Sequence, residues 1–275
     1  MDNWLVATIM GAIEGLTEFL PVSSTGHLII FGQLFGFVGE KAQTFEIVIQ
    51  LGAILSVVAL YHERFFRLIP RRRIYADQKF TALEGWQGLV RIGITTLPAL
   101  AVGFVARKAI KAYLFSPVTV SWALAVGGVV ILLVEKFLPK QRSQNTLETI
   151  TVKQALGVGM FQVLALWPGT SRSAATIIGG MLLGLERRAA AEFSFLIAVP
   201  IMCVATGYEI LKMGASLSDD DLDMLVIGFI VSFGVAAIAV QGFIRLINKW
   251  TLAPFGWYRL AAAPIFYYLT VGMTF

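Results

Sequence analysis

Charge is what this 275-residue chain lacks most: only 14% of its residues are charged, 22 basic and 17 acidic. Soluble globular proteins carry about 25% charged residues, so an ordinary soluble enzyme is excluded. Cysteine is nearly absent too. Cys203 stands alone, which excludes an internal disulfide and any cysteine metal cluster. Two histidines, His27 and His62, are too few for a histidine-rich metal site. The start of the chain has Asp2 and no basic segment, so it does not read as a cleaved signal peptide. Hydrophobic residues make up 57% and mean hydropathy is +0.77. This composition excludes a disordered chain and a nucleic-acid-binding domain. The formal net charge of +5 is therefore a topology signal rather than a nucleic-acid footprint. An all-α polytopic membrane protein remains, with the lipid bilayer as its surroundings.

Six apolar stretches are long enough to span a bilayer, at residues 44–61, 87–106, 117–138, 189–213, 222–247 and 253–274. Two further regions, 4–37 and 154–185, are too long for one crossing and too short for two. The first is broken by Pro21-Val22-Ser23-Ser24-Thr25-Gly26 and the second by Pro168-Gly169-Thr170-Ser171-Arg172-Ser173. Halves of about 15 residues reach only ~22 Å along a helix, short of the ~30 Å hydrocarbon core. Each region reads as a re-entrant hairpin. Irregular backbone at membrane depth is tolerated only where protein or a wet cavity surrounds it, so function is expected at the tips.

The hairpins resemble each other. A shift of 148 residues aligns 11–54 with 159–202, with 11 identities in 44 positions, among them Gly11/Gly159, Ser23/Ser171, Gly36/Gly184 and Phe45/Phe193. The expected architecture is a single membrane domain over 1–275. Repeat 1 covers 1–138 and repeat 2 covers 151–275, each a hairpin plus three spans. An odd number of spans turns the second copy upside down, the inverted-repeat arrangement of transporters. With both termini outside, the inside segments hold 14 Lys and Arg and the outside segments hold 5 (Lys41, Arg107, Lys108, Lys111 and Lys212), as the positive-inside rule favours. His62, Arg64, Arg67 and Arg71-Arg72-Arg73 belong to that signal. Trp4, Trp86, Trp250 and Trp257 read as interface anchors.

Ionisable residues in membrane segments are functional hypotheses by default. Glu14 and Glu18, four apart, share a helix face. They are compatible with a cation between them, or with one carboxyl protonated for acid or base work. Ser23, Ser24 and Thr25 lie where a second half-helix begins, and helix N-termini suit phosphate. His27 follows on the same face. Arg172, flanked by Ser171 and Ser173, occupies the repeat position of Ser24 and fits bidentate phosphate binding. Taken singly, the serines can be caps, Glu18 and His27 satisfied interior groups, and Arg172 a neutralising partner. Together at two matching tips they suit phosphoryl transfer. Glu46, Gln50 and Glu192 either line the same cavity or make interhelical hydrogen bonds. Gly127-Gly128 permits close helix packing, within the chain or in a homodimer. An inverted-repeat transporter or lipid flippase is the alternative from another class.

The string Glu14-Gly15-Leu16-Thr17-Glu18-Phe19-Leu20-Pro21-Val22-Ser23-Ser24-Thr25-Gly26-His27 closely resembles the first motif of the undecaprenyl-diphosphate phosphatase family, the bacterial bacitracin-resistance membrane proteins. Pro168 to Ser173 resembles its second motif, and the segments around Glu46, Gln50 and Glu192 are also similar. Ala174 departs from the glycine usual there. The resemblance covers essentially the whole chain. It implies a multi-pass protein of the bacterial cytoplasmic membrane that hydrolyses a polyprenyl diphosphate lipid and recycles the carrier for cell-wall polymers. It also implies a divalent cation, Mg²⁺ or Ca²⁺. Carried over, Glu14 and Glu18 serve metal binding or acid/base work, Ser24 is the candidate nucleophile with His27 near it, and Arg172 holds the diphosphate with the tip hydroxyls of Ser23, Thr25, Ser171 and Ser173. Ser24 or water as nucleophile, and Glu18 or His27 as base, both stay open.

Overall fold

The computed structural model describes residues 3–70, 81–114, 116–138, 145–212 and 219–270. Arg71-Arg72-Arg73 and the outermost residues of the expected spans 189–213 and 253–274 lie outside these. Among the described residues the chain is all helical, with eleven α-helices and no strand. The expected hairpins are pairs of short helices: α1 (Asn3–Thr17) with α2 (Ser24–Leu34), and α7 (Val152–Leu164) with α8 (Arg172–Leu182). The expected spans correspond to α3 (Glu40–Leu60), α5 (Gly85–Tyr113), α6 (Pro117–Phe137), α9 (Arg187–Lys212), α10 (Asp219–Ile247) and α11 (Ala253–Thr270), and a short α4 (His62–Arg67) follows α3.

Five of these, α3, α5, α6, α9 and α10, are long and apolar enough to cross a membrane. The sixth, α11, falls short of that measure although its region was expected to span. Its 18 residues include Arg259, two prolines and three tyrosines, which dilute its hydropathy. Sequence signals set several helix starts. Ser116 opens α6 with a capping box to Thr119, ahead of Pro117, and Thr151 opens α7 with a box to Gln154.

The first helix of each short pair packs on a partner from the other half of the chain. Helix α1 lies on α10 and α7 on α5, while α3 contacts α10 and α9, and α11 pairs with α6. Helix α1 turns Val6, Ala7, Met10, Gly11, Glu14 and Gly15 inward, the spacing of one helical face. At Gly11 a Cβ would sit 2.6 Å from the Gly228 carbonyl oxygen of α10, and at Gly159 of α7 one would sit 2.5 Å from the Thr95 carbonyl oxygen of α5. Both crossings therefore rest on backbone in near contact. Gly127 and Gly128 face Arg259 and Gly256 of α11, so they serve packing within the chain.

Outward faces are apolar and uncovered. Phe104, Val105, Ile230 and Ile238 are exposed, as are Trp4, Trp86, Trp250 and Trp257, a surface suited to lipid. Ion pairs lie towards the helix ends. Arg64 meets Glu148, Arg107 meets Glu209, Lys41 meets Asp221, and Arg187 meets Glu135.

Candidate active site

The two tips share an unusual backbone. Ser23 and Ser171, the residues just before α2 and α8, have φ of 73° and 71° and are the only non-glycine residues at positive φ among those described. This region disfavours L side chains, and such strain concentrates at functional sites. The strained residue in each tip aims the first residue of the next half-helix, Ser24 in one and Arg172 in the other.

Those two residues converge on one carboxylate. Ser24 donates its hydroxyl hydrogen to Glu18 Oε2 at 2.5 Å, and Arg172 Nη2 approaches Glu18 Oε1 at 3.5 Å. Glu18 follows the last turn of α1, with its backbone N–H donating to the Glu14 carbonyl, so the two carboxyls keep the helical register expected of them. Arg172 Nη1 donates to the Ser194 carbonyl at 2.9 Å, and its guanidinium carbon lies 5.8 Å from the Phe19 ring centroid. The Arg172 Nε and Glu14 Oε1 are buried with no hydrogen-bond partner. Glu14 lies within electrostatic reach of Glu18, Glu46 and Arg172.

The tips are stitched to each other directly. Ser173 donates to the Leu20 carbonyl at 2.8 Å, and the Ser171 and Ser173 hydroxyls pair at 2.9 Å. Ser171 also caps α8 through the Ala174 N–H. Ser23 is buried, whereas Thr25 is exposed on its tip. His27 lies apart from the Ser24–Glu18 pair. Its Nδ1 faces the Ser23 carbonyl at 2.7 Å and its Nε2 the Tyr258 hydroxyl at 2.5 Å. A carbonyl only accepts, so Nδ1 carries the hydrogen, and Nε2 shares the second hydrogen bond with the Tyr258 hydroxyl.

Several expectations need correction or extension. Glu192 does not join the tips: it pairs with Arg188 at 2.8 Å and lies beside Tyr61. Gln50 meets Thr206 at 3.5 Å, while Glu46 stays within reach of Glu14. Sequence reasoning missed Tyr258, Arg259 and Ser194. Arg259 could have been flagged, being a charge inside an apolar stretch. Ser194 contributes a backbone carbonyl, which no residue type announces.

For a divalent cation the donor set is small. Among the described residues no group of three or more His, Cys, Asp or Glu could hold a metal. The unpartnered Glu14 Oε1 beside Glu18 nevertheless fits a hard cation that takes few protein carboxylates and draws its other oxygens from substrate and water, as Mg²⁺ does.

Five helices long and apolar enough to cross a bilayer, with a serine, carboxylates and an arginine brought together where α2 and α8 begin, define a polytopic membrane protein with a buried polar cluster. Residues 7–265 match the family described as Bacitracin resistance protein BacA, and the chain belongs to that family. It is 55% identical over 267 residues to the undecaprenyl-diphosphatase of Maridesulfovibrio salexigens, an alignment covering 96% of this chain and 98% of that one. It is 53% identical over 269 residues to the undecaprenyl-diphosphatase of Solidesulfovibrio magneticus, covering 98% and 99%. A third relative of that name, from Nitratidesulfovibrio vulgaris, is 53% identical over 268 residues.

Proposed function

We propose that the chain hydrolyses undecaprenyl diphosphate to undecaprenyl phosphate and inorganic phosphate, and so recycles the lipid carrier for cell-wall polymers and lowers sensitivity to bacitracin. The observation that carries the chemistry is the single carboxylate of Glu18, gripped by Ser24 on one oxygen and approached by Arg172 on the other.

In this reading Ser24 Oγ attacks the terminal phosphorus and its proton passes to Glu18. The bond to the bridging oxygen breaks, its electron pair leaves with the lipid monophosphate, and Glu18 passes the proton to the departing phosphate oxygen. Water then attacks the phosphoserine and gives one proton to Glu18. Its hydroxyl stays on phosphorus, the phosphorus–Oγ bond breaks, and Glu18 returns the proton to Ser24 Oγ. Arg172 leaves Glu18 to meet phosphate oxygens, its unpartnered Nε supplying a further donor. The N-terminal N–H groups of α2 and α8 add a positive field at the same point. Tip hydroxyls of Ser23, Thr25, Ser171 and Ser173 complete the polar lining. Glu14 with Glu18 would hold a divalent cation, Mg²⁺ or Ca²⁺, which would supply neutralising charge for the phosphates. His27 is assigned to holding the tip rather than to taking the Ser24 proton.

The isoprenyl tail lies along the exposed apolar faces, within the lipid. The architecture is read as two inverted repeats, 1–138 and 151–275, each with a re-entrant pair of helices. Support comes from helices of 15 and 11 residues in the first pair and 13 and 11 in the second, from the matched strain at Ser23 and Ser171, and from the exchanged packing of α1 on α10 and α7 on α5. The distribution of Lys and Arg supports both termini outside a bacterial cytoplasmic membrane, with the site opening outward. A homodimer is compatible with this arrangement.

The test is phosphate release from undecaprenyl diphosphate by purified protein, with and without EDTA, beside Ser24→Ala and Arg172→Ala. Metal-dependent release lost in both variants is expected. A folded wild-type protein that releases none is a carrier of polyprenyl phosphate lipids, not a phosphatase.

A further inference from the structure

Among the described residues Arg259 is the largest fully buried side chain, and none of their carboxylates pairs with it. A buried charge is costly unless every donor is satisfied, and here backbone carbonyls do this. Nη1 donates to Thr170 at 2.9 Å and to Pro21 at 3.4 Å. Nη2 donates to Gly169 at 2.8 Å and to Ala123 at 3.0 Å, and Nε donates to Leu124 at 3.2 Å. Pro21 belongs to the first tip, and Gly169 and Thr170 belong to the second. One planar guanidinium thus ties both tips to α6 and α11.

The preceding residue, Tyr258, reaches the first tip by another route. Its hydroxyl meets His27 Nε2 at 2.5 Å, with the two ring planes nearly parallel at 6°. The other ring nitrogen holds the carbonyl of Ser23, the strained residue before Ser24. Phe266, two turns further along α11, packs its ring edge-to-face on His27 at 5.1 Å. Neither Tyr258 nor Arg259 touches the Ser24–Glu18–Arg172 group, so neither is catalytic.

We propose that Tyr258 and Arg259, consecutive on α11, are the positioning residues that hold the two serine-bearing tips in reacting register. Tyr258 acts through His27 on Ser23, and Arg259 acts on Pro21, Gly169 and Thr170. The proposal rests on the phosphatase reading. Its physical basis is that reacting groups held by preorganised contacts lose rate when displaced by about an ångström.

The experiment uses full-length purified protein in detergent, with kcat and KM for undecaprenyl diphosphate measured separately and folding followed by thermal unfolding. Tyr258→Phe removes one oxygen from a half-exposed ring. It is expected to lower kcat about tenfold and leave KM within twofold and unfolding unchanged. Arg259→Lys keeps the charge but not the planar fork and is expected to lower kcat about a hundredfold. In a His62→Asn background His27 is the only histidine, and its ¹⁵N spectrum reports Nδ1–H and the hydrogen bond at Nε2. That signature is expected to move in Tyr258→Phe. A Tyr258→Phe kcat within twofold of wild type, a loss confined to KM, or a lowered kcat with an unmoved His27 signature would each overturn the proposal. If Arg259→Lys does not fold, Tyr258→Phe and the His27 signature decide. If the wild type itself releases no phosphate, the phosphatase reading fails, and the brace stands or falls on the His27 signature.

Discussion

The Ser24 hydroxyl spends its hydrogen on Glu18, not on His27: the Ser24–Glu18 separation is 2.5 Å, while both His27 nitrogens are engaged by Ser23 and Tyr258. Two candidate bases that are equivalent on paper are thereby separated by geometry.

Glu18→Gln is expected to lower kcat by about a hundred- to ten-thousand-fold, the range for losing a positioned base. His27→Ala is expected to lose about tenfold, since it unsettles the Ser23 carbonyl without removing the group that meets Ser24. Steady-state phosphate release from the two variants side by side checks this. Equal losses would return His27 to the proton path.

Arg172→Lys is expected to behave like Arg172→Ala, with kcat down by about a hundred- to a thousand-fold. A lysine cannot span the Ser194 carbonyl and Glu18 while offering a further donor. Thermal unfolding of both variants stays near wild type if the charge serves rate rather than fold. A fully active lysine variant would reduce Arg172 to a point charge.

Gly11→Ala and Gly159→Ala are expected to destabilise by about 1–3 kcal/mol each, the usual cost of overpacking. The added carbon meets a carbonyl of the facing helix, and backbone cannot step aside as a side chain can. Gly207→Ala, where nothing lies within 4 Å, is the control. Thermal unfolding in detergent ranks the three.

Glu148 provides a pH handle outside the membrane. Burial raises its carboxyl, but hydrogen bonds from Arg64, its own backbone N–H and Thr146, together with the charge of Arg64, hold it below the usual carboxylate range. A lowered pKa gives stability that is present above the unfolded-chain value and lost as pH falls through the folded one. Both side chains are partly exposed, so the effect is small and salt-sensitive. Glu148→Gln is expected to flatten the acid side of the stability profile by lowering it slightly near neutrality, where the pair contributes, and leaving the acid end unchanged. Unfolding temperature against pH, at low and high salt, is the measurement.

The apolar stretches and the two polar breaks were readable because they follow from local composition. Long hydrophobic runs have to be helices, and Pro21 or Pro168 followed by hydroxyl residues has to interrupt them. Convergence of the tips was suggested by the repeat alone. What could not be read was tertiary: Tyr258 meets a partner 231 residues away, and the acceptors of Arg259 are carbonyls. A main-chain oxygen has no letter in the sequence. Glu192 could not be assigned for a related reason, because an acidic residue in a span looks alike whether it faces a polar cluster or a nearby arginine. The last helix carries the opposite mixture, with the polar Arg259 held structurally within an apolar run.

The position of Arg259 near the end of the chain sets an order of events during synthesis. The first tip leaves the ribosome early, and the second follows more than a hundred residues later. Both wait for the guanidinium that gathers their carbonyls. Until α11 docks, Gly169, Thr170 and Pro21 lack their common donor, and Ser24 and Arg172 lack a fixed bearing. If Arg259 positions the tips as proposed, a chain truncated before α11 is expected to insert without releasing phosphate, and a phosphate-release assay on that truncation checks it.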